Sequence, residues 1–183
     1  MIEVPEIVAR QMPLYQRAQC ASRYGEPHEA HPWILSQLAL EIVEAEGPIH
    51  VEEVARRIAS CFGKEKAGSR IIAATGRALS SAMLRASHLR SDENFYFTDG
   101  QAAAPPVRDR SRENGATLKA SSISMLEIRV ALRIAREDNA GGDDPELIRT
   151  AARLLGFRRV GSDLQARLAS GLAFGGSARP TVS

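Results

Sequence analysis

Apolar residues recur at steps of three and four along most of the chain, and Gly47–Met83 is the stretch around which the rest is organised. Val51, Val54, Ala55, Ile58, Cys61 and Phe62 form one face there, the periodicity of an amphipathic helix. Pro48 and His50 open this helix. Gly63 ends it, because glycine takes the left-handed conformation of a helix cap without steric cost. The turn Lys64-Glu65-Lys66-Ala67 leads to Gly68-Ser69, where Ser69 is suited to cap a second helix. That helix directs Ile71, Ile72, Leu79 and Met83 inward, while Arg70, Ala74, Arg77 and Ser81 share an outer face. Two helices about a short glycine-containing turn, the second basic on its outer side, make the pattern of a helix-turn-helix.

The flanking patterns extend this unit. Ile34, Leu35, Leu38, Ala39 and Ile42 predict a helix starting at Pro32-Trp33 and ending at Gly47-Pro48, with Glu41, Glu44 and Glu46 facing solvent. Leu89-Arg90 and Phe95–Thr98 predict two short strands about a polar turn. Three helices followed by a hairpin is the order of a winged helix. Residues 99–122 carry Ala, Pro, Gly, Ser and mixed charge with almost no apolar period, and read as a linker. A second helical unit follows. Ile123, Leu126, Val130 and Ile134 give its first stripe. Asp143 or Asp144 caps the next helix, Pro145 sits at its first position, and Leu147, Ile148, Ala151, Ala152 and Leu155 face inward. Gly156 ends that helix, and Gly161-Ser162 starts the last one.

The second unit repeats the first at a constant shift of 93 residues. Gly63 falls on Gly156, Gly68 on Gly161 and Ser69 on Ser162, with apolar matches at Val54/Leu147, Phe62/Leu155 and Ile71/Leu164. The expected organisation is an N-terminal arm over 1–32 with a short helix at 7–12, a winged-helix-like domain over 33–98, a linker over 99–122, a second helix-turn-helix-like unit over 123–174 and a tail over 175–183. In the arm, Tyr15 and Tyr24 have apolar bodies suited to docking on the first domain. The fold class is mainly α, with two tandem winged-helix-like units and a hairpin wing on the first.

Charge sharpens this reading more than composition does. Of 183 residues 44% are hydrophobic and 25% charged, an ordinary globular mixture, and only 5% are aromatic, which favours an aliphatic helical core. The net charge of +2 does not by itself imply nucleic acid. Its distribution does more: from Lys64 to Arg90 six cations face one acid, Glu65, while the preceding helices carry the glutamates. Lys64, Lys66, Ser69, Arg70 and Arg77 are the first-unit residues expected to meet phosphates, with Arg158 and Arg159 as second-unit counterparts. Asp163 takes the place of Arg70 in the second unit, which weakens a phosphate role there.

Other chemistries find little support. Two cysteines, Cys20 and Cys61, suggest no disulfide framework; Cys61 reads as a buried thiol and the chain as cytoplasmic. No apolar run has the length of a membrane span, and the N-terminus does not read as a signal peptide. Cys20, His28 and His31 are too few and too irregularly spaced for a zinc site. No phosphate-binding loop and no nucleophile elbow is present, so no enzyme, catalytic residue, metal or cofactor is expected. His50 is expected to start its helix, with Glu53 at the capping-box position.

With IVEAEGPIHVEEVARRIASCFGKEKAGSRI and its second-unit echo LIRTAARLLGFRRVGSDLQARL laid out, the chain resembles the bacterial domain-of-unknown-function family 3320, over roughly residues 33–172. That resemblance implies an accessory module of helicase-like proteins, with DNA as partner, and carries over no catalytic residue. The rival reading is a protein-interaction module, paired as a homodimer or docked on a helicase or nuclease-like protein.

Overall fold

The computed structural model describes residues 10–175. Its elements run α1 (Pro32–Glu46), β1 (Ile49–His50), α2 (Val51–Cys61), α3 (Ser69–Arg85), β2 (Leu89–Asp92), β3 (Phe95–Thr98), α4 (Asp99–Ala103), α5 (Met125–Asp138), α6 (Asp144–Leu154) and α7 (Ser162–Gly175). The fold is mainly helical with one small antiparallel sheet, ordered β1-β3-β2. The expected hairpin is present. The two-residue strand β1 joins it, pairing Ile49 with Tyr96 and His50 with Phe95. No helix among the described residues is long and apolar enough to cross a membrane.

Side chains set most of the helix starts, because the first N–H groups of a helix lack partners within it. His50 Nδ1 accepts from Glu52 N at 3.2 Å, Ser124 caps α5 through Glu127 N, and Asp143 caps α6 through Glu146 N at 2.9 Å. Ser69 does not cap: it is the first residue of α3, behind an N-cap Gly68 that makes no side-chain bond. Glu53 does not close a capping box either. It is buried, and its carboxylate meets Arg56, Arg57 and Thr117.

The 93-residue repeat extends over three helices rather than two. Pro32, Val51 and Ser69 start α1, α2 and α3; Met125, Asp144 and Ser162 start α5, α6 and α7 at that same shift. Buried positions follow it: Leu35/Ile128, Leu38/Ala131, Ala39/Leu132 and Ile42/Ala135 on the first helices, then Val54/Leu147, Ile58/Ala151 and Phe62/Leu155 on the second. Gly63 and Gly156 both hold the left-handed conformation, with φ of +70° and +89°. Even a polar contact is preserved in place. Glu46 receives Arg57 in the first unit, and Asn139 donates to Thr150 in the second, at positions 93 apart. The α5 stripe is rotated from expectation: Leu126, Val130 and Ile134 are only half-buried, while Ile128, Ala131, Leu132 and Ala135 form the core face.

Each unit has its own apolar core, the first built on α1, α2, α3 and β2, the second on α5, α6 and α7. Residues 99–122 do not form the solvated linker expected from their composition. Thr98 and Gln101 make a capping box for α4, and Gln101 Nε2 reaches the carbonyls of Val43 and Glu44. Arg108 and Arg110 are buried against Glu127, and Asp109 bridges to Leu14 in the arm. The linker reading fails because a charged residue counts as exposed until its partner is known, and these partners lie elsewhere in the sequence. Of the expected arm helix, residues 7–9 lie outside the described residues and 10–12 are not helical; the arm instead holds a 3-10 turn at Pro27–Glu29. Tyr15 docks as expected, but Tyr24 is exposed. The expected tail residues 176–183 also lie outside the described residues.

Candidate nucleic-acid interface

Helix α3 presents Ser69, Arg70, Ala73, Arg77 and Ser80 to solvent, a stripe in steps of one, three and four residues. Ala74 was expected on this face and is buried instead. It lines a small cavity with His28, Pro32, Leu35 and Arg77, where the 3-10 turn of the arm covers one side of α3. Ser81 is half-buried at the same cavity. The outer face is therefore turned from the Ala74–Ser81 line towards Ala73 and Ser80. Arg70 and Arg77 have no acidic partner among the described residues, so their charge is not offset within the fold.

The two lysines of the first turn differ. Lys64 is tied to Glu26 of the arm, and that hydrogen bond holds the Glu26 carboxyl below its ordinary range. Lys66 is exposed and unpaired. Both line a cleft of about 840 Å³ with Arg17, Arg56 and Arg57. Its cations are largely neutralised: Arg17 pairs with Glu113, Arg56 with Glu52 and Glu53, and Arg57 with Glu46 and Glu53. Cys20 and Cys61 also line this cleft and are bonded to each other, with Cα atoms 5.8 Å apart. Cys61 is buried as expected, but it is not a free thiol. The bond fixes the arm to the end of α2, and Arg23 N donates to the Cys61 carbonyl at 2.7 Å beside it.

Arg158 and Arg159 lie on the α6–α7 turn, in a second cleft of about 840 Å³. Its wall repeats the first at the 93-residue shift: Glu146, Arg149, Thr150, Arg153, Phe157, Arg158 and Arg159 replace Glu53, Arg56, Arg57, Ser60, Lys64, Glu65 and Lys66. The expected site residues thus fall on three surfaces, the α3 face and two equivalent clefts. The sequence reading missed Arg149 and Arg153, which sit one turn apart on the polar face of α6. Their equivalence to the first cleft was the available signal.

Between the units lies a buried ionic cluster. Glu46, expected in solvent, is 0% exposed; it accepts from Tyr15 Oη at 2.7 Å and from Arg57 Nε and Nη2 at 2.8 and 3.0 Å. Arg110 donates twice to Glu127, each at 2.7 Å, and Arg108 adds a bond at 3.0 Å. Burial alone would raise the Glu127 carboxyl; Arg110 and then Arg108 outweigh it and hold the group below its usual range. Burial, reinforced by Glu46, pushes the Tyr15 phenol up. Both guanidinium groups also approach the Tyr15 ring, 4.8 and 4.9 Å from its centroid. Arg108 further reaches the carbonyls of Glu46 and Pro48. Every acid here is held by arginine, which is the arrangement of a structural clamp. Among the described residues no group of histidine, cysteine and carboxylate side chains could hold a metal ion.

Residues 26–73 match the model of a family described as protein of unknown function (DUF3320). The chain is similar to that family over these residues, about a quarter of its length. The match spans α1, α2, the turn and the first residues of α3, so family 3320 covers the first-unit turn carrying Lys64, Lys66 and Ser69. No curated protein and no solved structure matches the chain.

Proposed function

We propose that this protein is a non-catalytic nucleic-acid-binding module of two tandem winged-helix-like units, in which α3 meets duplex DNA. The order α1, β1, α2, α3, β2, β3 with a three-stranded sheet supports the winged-helix reading of the first unit. The observation that carries the function is the pair Arg70 and Arg77, exposed and unpaired on α3, with small Ala73 between them and small Ser80 beyond Arg77 on the same face. Small residues let a helix approach a groove, and arginines supply the phosphate contacts that dominate affinity. Ser69 and Arg70 would sit at the backbone, Arg77 towards the groove and Lys66 on a flanking phosphate. Lys64 joins them only by leaving Glu26. An accessory role beside a helicase-like protein follows from the family resemblance alone.

Fluorescence anisotropy with a labelled duplex tests this. Arg70→Ala with Arg77→Ala is expected to weaken binding about tenfold or more while leaving the unfolding midpoint nearly unchanged. Equal affinity of variant and parent would overturn the reading.

A protein-contact reading has one observation of its own. Leu84 is 89% exposed at the end of α3, and Trp33 is 58% exposed at the start of α1. Arg85 bonds Ser36, so these helix ends lie side by side. If they form a dimer face, Leu84→Asp converts a sedimenting dimer to monomer; a parent chain that sediments as monomer at all concentrations rejects it.

A further inference from the structure

The cleft of the second unit differs from its first-unit equivalent in one respect that bears on ligands: its arginines are not ion-paired with the acids beside them. Arg149, Arg153, Arg158 and Arg159 line it against Asp109 and Glu146, and none of the four is ion-paired among the described residues. Arg153 makes only a 3.3 Å bond to Thr150. Arg149 and Arg153 are four apart on α6, a like-charge spacing that costs stability unless an anion offsets it. In the first unit the equivalent of Arg149 is Arg56, which Glu52 and Glu53 neutralise, and the equivalent of Arg153 is Ser60.

The turn that carries the arginines is held rigidly. Gly156 is at φ +89°, and a side chain there would strike the backbone of Arg110 and Ser111. Arg110 N donates to the Leu155 carbonyl at 3.1 Å, and Phe157 N to the Ala152 carbonyl at 2.9 Å. Phe157, half-buried, lines this cleft and also the neighbouring one of about 790 Å³, which Lys119 and Arg167 line as well. Arg159 is shared by both. The second concavity also holds Asp163, so cations outnumber acids three to one there, and the basic lining passes an aromatic ring from one concavity to the next.

We infer that these joined clefts bind single-stranded nucleic acid, with phosphates on the arginines and an unpaired base against Phe157. Arginine forks match phosphate oxygens, and an aromatic ring set in a basic groove accepts any base by stacking. A linear polyanion fits two contiguous concavities, whereas a duplex keeps its bases stacked inside and leaves the ring unused. An acidic peptide would use the charge but not the ring. The site is separate from the α3 face, so either can fail without the other.

The test is anisotropy with a labelled oligodeoxythymidine of about 15 nucleotides, on the full chain at low salt. Arg149→Ala with Arg153→Ala, and separately Arg158→Ala with Arg159→Ala, are each expected to weaken binding about tenfold or more. Arg133→Ala, a charge on α5 outside both clefts, leaves it unchanged. Phe157→Leu is expected to weaken the thymidine oligomer about fivefold or more and to leave an abasic oligomer of equal length unaffected. Circular dichroism confirms that each variant folds; if the leucine variant does not, the arginine pairs still decide. Oligomer binding unaltered by both arginine pairs overturns the inference. So does an abasic oligomer that loses as much as the thymidine one. Competition by an oligoglutamate as effective as the oligomer reassigns the clefts to an acidic protein segment.

Discussion

Glu127 shows what a single residue does here and why pattern reading misses it. It sits at the first turn of α5, a position where an acid is ordinarily solvated, yet it is 0% exposed between Arg108 and Arg110. Removing one partner of such a pair leaves a buried charge uncompensated, at a cost of about 3–5 kcal/mol. Arg110→Met leaves Arg108 as the remaining partner of Glu127, so the unfolding free energy measured in urea should fall towards the lower end of that range. The pH dependence has a definite sign. The folded state holds the Glu127 pKa below its unfolded value. Its stabilisation is fully present above the unfolded carboxylate pKa and is lost as pH falls through the lower, folded value. Glu127→Gln should flatten that acid limb in urea midpoints measured against pH; an unchanged limb would assign the acid sensitivity elsewhere. The residues of the α3 face were easier to read. Arg70 and Arg77 follow from spacing alone, but Ala74 does not, because only the arm covering it makes that side of α3 inward.

Helices were legible where apolar spacing had one solution. The starts of α2 and α6, and the glycines that end them, follow from periodicity and caps. In α5 the apolar residues wrap more than one face, so Leu126, Val130 and Ile134 competed with the true core face. β1 was invisible because two residues carry no period, and only the hairpin beside Ile49-His50 makes them a strand. The two turn glycines give an element-level prediction. Gly63 at φ +70° has open space around it, so Gly63→Ala costs only the left-handed strain, about 1–2 kcal/mol. Gly156→Ala adds a clash with the backbone at Arg110 and Ser111, and thermal unfolding should show a clearly larger loss. Equal losses would mean that the second turn is not packed as described. The Cys20–Cys61 bond closes a 41-residue separation. Its removal by Cys20→Ser is expected to cost about 2–4 kcal/mol, and a thiol titration of the native chain should find no free cysteine until it is reduced.

At the scale of the whole molecule, two copies of one three-helix unit are joined by charged residues rather than by an apolar seam. Tyr15, Glu46, Arg57, Arg108, Arg110 and Glu127 form that junction, and they come from the arm, α1, α2, the 99–122 segment and α5. Composition alone marked 99–122 as a spacer because pairing over long sequence separations leaves no local period. The repeat was legible, and its divergence is what bears on function. The first unit neutralises the cations of its cleft apart from Lys66 and keeps Arg70 and Arg77 free on α3. The second keeps its cleft arginines free instead. The central claim is that Arg70 and Arg77 contact DNA phosphates, and the dependence of duplex affinity on salt tests it most directly. The parent chain should bind with a negative slope of log affinity against log salt, and Arg70→Ala with Arg77→Ala should reduce that slope by about 2, one phosphate contact per arginine. A slope left unchanged by the substitutions, or no duplex binding at low salt, would contradict the account.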